Sequence, residues 1–223
     1  MPYFRHLLDA LEDPFEMFPM QSVARQLAGL VAKSEDRRFE RSDPWGYSPP
    51  HNTVEDEHDI AVVQLLIGSA FVLGQAAITQ AVSIATKLRD EAKKPSWLPK
   101  GKATLMLIAA PIEKETGLSK IVLIDAVANY FKHHYEWPDD WSESCPIEKT
   151  TADKTISIVR ELGLIAKGQH NLTRALQQLG AAPDDTTPLS KLVQEWREQL
   201  AAYLRNQLEA HYIDDDPPPP VTY

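Results

Sequence analysis

A single cysteine, Cys145, stands in 223 residues. Neither an intrachain disulfide nor a cysteine-built zinc site can form, and a reducing cytoplasm is the expected home. Glycine is scarce as well, and no glycines gather into a loop that could cradle phosphates. No segment alternates apolar and polar residues for long enough to read as strands, and no fixed repeat recurs, which argues against sheet and solenoid architectures. Positive charge is in deficit. With 23 Lys and Arg against 32 Asp and Glu, the net charge is -9, which argues against a broad electrostatic surface for duplex nucleic acid but leaves room for a small basic site. The opening stretch MPYFRHLLDALEDPFEMF places acids where a secretion signal needs an apolar run, so no such signal is expected.

What is present reads as helix throughout, an all-α bundle. Its centre is Ile60 to Thr86, which carries no charged residue, within a helix expected over Val54 to Lys94. A helix apolar nearly all round lies inside a protein or inside a bilayer. Gln64, Gln75 and Gln80 would be costly in lipid, so the expectation is a buried central helix rather than a membrane span. Glu55, Asp56, Glu57 and Asp59 suit its positive N-terminal end. His58 among these acids matches no metal-ligand spacing, so neither a metal nor a cofactor is expected.

Around this centre, Phe4, Leu7, Leu8 and Leu11 mark a short helix closed by Pro14, and Val23, Leu27, Leu30 and Val31 mark a second from about Gln21 to Lys33. A long connection is expected over 34–53, with Trp45 and Tyr47 as contacts if it closes over anything. Ala103 to Ala110 reads as a short buried helix, and Lys120 to Trp137 as a longer one capped by Ser119 and ended by Pro138. Residues 1–137 then form a bundle, residues 138–213 supply helices packed on it, and the acidic, proline-rich residues 214–223 form a disordered tail.

Two places carry chemistry. On the helix over 120–137, Asp125, Asn129, Lys132, His133 and Glu136 fall on one narrow polar stripe, and apolar residues fill the rest of the circumference. Such a stripe either touches solvent through a gap or lines a cleft. The last helix holds RNQLEAH, with Arg205, Asn206 and His211. This segment resembles the HEPN superfamily, all-α dimeric domains whose nuclease members carry an Arg, usually followed by a polar residue, and a His after a gap of four to six. ANYFKHH is similar in a degenerate form, with Asn129 and His133 in place and Ala128 where the Arg would stand.

The resemblance implies a homodimer that cleaves RNA without metal at a cleft between protomers, in a toxin or antiphage setting. His would move protons to and from the ribose hydroxyl and the leaving oxygen. Arg, or Lys132 in its stead, would stabilise charge on the phosphorane. Pattern does not choose between the two sites. The missing Arg and the acidic balance leave a second reading open, a non-catalytic helical module that binds a partner protein through its apolar seams and proline tail.

Overall fold

The computed structural model describes residues 4–41, 53–139, 141, 151–183 and 185–211. The described chain is all helix and turn, with one isolated bridge between Ile112 and Ser119. Its helices are α1 (Arg5–Glu12), α2 (Pro14–Arg41), α3 (Thr53–Glu91), α4 (Lys102–Leu105), α5 (Lys120–His133), α6 (Thr151–Glu161), α7 (Asn171–Gln178) and α8 (Thr187–His211).

The long helix α3 is the axis, contacted by α1, α2, α4, α5, α7 and α8. By length and composition it could cross a membrane, with a mean hydropathy of 1.9 over its most apolar window. Two of its glutamines nevertheless have partners inside the protein. Gln64 donates to Thr173 Oγ1 at 2.6 Å and accepts from the Leu172 amide at 2.8 Å, satisfying an N-terminal N–H of α7. Gln75 bonds to α5.

Two glycines set how closely α5 lies on α3. A Cβ at Gly68 would enter the ring of Phe131, and one at Gly74 would stand 3.0 Å from Ile124 Cγ2. Side chains at these positions would push the two helices apart.

Helix α8 locks the start of the chain to this pair. Leu189, Val193, Trp196, Leu200, Leu204 and Leu208 are buried along one seam. Beside them Arg197, also buried, donates from Nη2 to Ala10 O at 3.0 Å and from Nε to Leu11 O at 3.3 Å. These carbonyls belong to the last turn of α1, whose acceptors have no N–H donor within the helix. Trp196 donates to Ile108 O at 3.2 Å and so fixes the turn after α4. One core cluster therefore runs from Phe4 to Leu208.

Three helices differ in extent from the sequence expectation. Helix α2 begins at Pro14, passes through Pro19 and runs on over the charged residues to Arg41. Pro19 is exposed while Met17 and Met20 are buried on either side of it, so packing carries the helix past the missing donor. Arg and Glu are good helix formers, so the charged run 34–41 extends α2 where a loop was expected. Over 103–110 only the first turn is helical, and Leu107 is exposed. At the end of α5 the α-helix stops at His133 and a single 3-10 turn covers His134–Glu136. Trp45, Tyr47, Cys145 and the tail lie outside the described residues.

Candidate functional site

Helix α5 is prepared by the turn that precedes it. The Glu113 carboxylate accepts from the amides of Glu115 at 3.0 Å and Thr116 at 2.7 Å. These backbone bonds, first that of Glu115, hold its pKa below the usual glutamate value against an opposing desolvation effect. Ser119 then caps α5, accepting from Val122 N at 3.3 Å and donating to Met106 O at 2.9 Å. From this fixed start, Ile121, Leu123, Ile124, Ala126, Val127, Ala128 and Tyr130 turn inward and are buried.

The polar stripe faces α3 at one point, and that point is Gln75. Its carboxamide nitrogen donates to Asp125 Oδ1 at 2.8 Å and to Asn129 Oδ1 at 2.9 Å. Its carbonyl oxygen accepts from Lys132 Nζ at 2.6 Å. A second ammonium, Lys102 from the start of α4, stands 2.6 Å from the same Asp125 oxygen. Asp125 accepts only, so it takes the nitrogen end of Gln75 and leaves the oxygen end for a donor, which Lys132 provides. The Asn129 oxygen is spent on Gln75, and its two N–H donors meet no acceptor among the described residues. Two cations, one carboxylate and a carboxamide with spare donors are thus gathered at the edge of the α3–α5 contact. Their local balance is positive in a chain of net charge -9.

His133, the last residue of α5, is about half exposed, with Nδ1 3.5 Å from a Glu136 carboxylate oxygen. Its neighbour His134 has a structural task, its Nδ1 lying 3.2 Å from the carbonyls of Tyr130 and Phe131 and satisfying the end of the helix. The Tyr130 hydroxyl accepts from Asn171 Nδ2 at 2.7 Å. Burial pushes its pKa above the usual tyrosine value, partly offset by that bond.

The second set of residues is dispersed. Arg205 donates to Glu12 Oε2 of α1 at 2.7 Å, and this bond raises an already high guanidinium pKa. Asn206 is exposed. His211 holds the Gln207 carbonyl at 2.9 Å and stacks on Trp97, ring centroids 4.4 Å apart and 9° from parallel. Arg205 and His211 therefore turn to different neighbours, one to α1 and one to the turn after α3. Among the described residues no three His, Cys, Asp or Glu side chains assemble as a metal site.

Comparison with known protein families, curated proteins and solved structures gives no match. The arrangement of side chains therefore carries the functional reading. Of the residues in the cluster, Asp125, Asn129 and Lys132 are visible in the sequence as a stripe. Gln75 and Lys102 are not, because their partners lie tens of positions away and no local pattern links them.

Proposed function

We propose that the protein is an HEPN-like helical protein that acts on RNA at the α5 stripe, as a metal-independent ribonuclease formed by two copies of the chain. The observation that supports this reading is the cluster of Lys102, Asp125, Gln75, Asn129 and Lys132, with His133 one residue along the same helix. Lys132 and the free donors of Asn129 suit a phosphodiester. The half exposure of His133 supports a role in exchanging protons with solvent and substrate. The Arg205 and His211 pair is a poorer candidate, since the two side chains turn to separate partners, Glu12 and Trp97. A short positive site also fits an acidic chain better than a long groove does.

Binding of a labelled single-stranded oligoribonucleotide by Lys132→Ala and Arg205→Ala tests the choice of site. Lys132→Ala is expected to bind about tenfold more weakly at equal stability, the usual effect of losing one charge-assisted bond. Arg205→Ala is expected to bind as the wild type does. The reverse order would move the site to α8.

A second reading, a non-catalytic helical interaction module, is favoured by the outer face of α3. Leu65, Ala76, Thr79, Ser83 and Thr86 are exposed there, uncharged until Lys87 and Asp90 in the last turns. The Thr86 hydroxyl is bonded back to Val82 O at 2.8 Å, so that it asks little of water. Wild-type protein that binds no RNA would transfer the proposal to that face.

A further inference from the structure

Lys102 belongs to no motif in the sequence, yet it supplies the second cation of the cluster. It is the first residue of the four-residue helix α4, and its side chain is 38% exposed against 15% for Asp125. A pair this accessible contributes about 0–1 kcal/mol to stability, which is a weak reason for placing an ammonium there. The ammonium spends one of its three N–H donors on Asp125. Asp125 in turn is held by Gln75, the residue that also fixes Asn129 and Lys132.

We propose that Lys102 is a phosphate-contacting residue of this site, held in place by Asp125 and drawn off it by a phosphate of single-stranded RNA. The inference rests on the RNA reading above. An incoming phosphate oxygen competes with Asp125 Oδ1 for the ammonium, and Asp125 keeps its bond to Gln75 throughout. No covalent bond changes in this step. The carboxylate thus positions Lys102 and at the same time opposes anions that interact weakly.

The two roles of Asp125 separate by the sign of a substitution. Asp125→Asn keeps an oxygen that accepts from Gln75 but removes the charge that competes with phosphate. Lys102→Gln removes the cation. If the pair were only a structural salt bridge, the two variants would behave alike.

The test is fluorescence anisotropy of a labelled single-stranded oligoribonucleotide with wild type, Lys102→Gln, Asp125→Asn and Lys132→Ala over a salt series, with thermal melts to establish that each is folded. Lys102→Gln should bind about fivefold to tenfold more weakly. Its salt dependence should lose about 0.7 of a logarithmic slope unit, the contribution of one phosphate contact on a single strand. Asp125→Asn should bind more tightly than the wild type. Weakening by Lys132→Ala with no change in Lys102→Gln overturns the assignment of Lys102 and leaves the RNA reading standing. If the wild type binds no RNA, that reading fails, and inorganic phosphate titrated against protein with labelled lysines decides the rest. A shift of the Lys102 resonance that is absent from its variant supports phosphate contact, and an unmoved resonance overturns it.

Discussion

At the scale of single residues, polarity decides which end of each side chain is left for a ligand. Gln75 is buried, its nitrogen facing the Asp125 carboxylate and backbone carbonyl and the Asn129 side-chain oxygen, and its oxygen facing the Lys132 ammonium. Only one orientation of its amide satisfies all of these. Glu113 shows the same economy in the turn before α5, where backbone amides favour its charged form. Its depressed pKa stabilises the fold fully above the unfolded glutamate value, and that contribution disappears as pH falls through the folded pKa. Glu113→Gln should therefore melt below the wild type at neutral pH, with the gap closing as the buffer is acidified through and below the usual glutamate range. A gap that stays constant across a series of thermal melts would show that the carboxylate's charge contributes nothing there.

At the scale of elements, the contact between α3 and α5 rests on missing side chains. Gly68 lies under Phe131, and a methyl group at that position has no room without moving the ring or the helix. Gly68→Ala gains helix propensity worth about 1 kcal/mol, but overpacking of about 1–3 kcal/mol opposes it. The expected result is a net loss of stability in chemical denaturation, together with a disturbed α5 stripe. A stabilised variant would contradict the close approach. The helices themselves were legible because their apolar residues recur at the helical period and their ends carry recognisable signals, such as Ser119 before α5. Their exact limits were not. Pro19 was no barrier once Met17 and Met20 had packed, and the charged run 34–41 reads as loop or helix with equal ease until packing of the earlier turns decides.

At the scale of the whole molecule, an acidic chain brings two cations, Lys102 and Lys132, together where helices from distant parts of the sequence meet. Of the candidate site, Asp125, Asn129, Lys132 and His133 were legible as a stripe on one helix. Gln75 and Lys102 were not, since only the packing of α3 and α4 against α5 makes them neighbours. The motif-like spacing of Arg205 and His211 was equally visible, but the fold directs one to Glu12 and the other to Trp97. Spacing along a helix fixes which residues share a face; it does not fix what that face meets.

The most direct test is cleavage of a mixed RNA pool in the presence of a chelator by the purified wild type, beside His133→Ala and His211→Ala. The account predicts cleavage by the wild type and by His211→Ala, and a loss of about a hundredfold or more in His133→Ala, the scale of general acid–base catalysis. Undiminished cleavage by His133→Ala, or loss on His211→Ala alone, would contradict it.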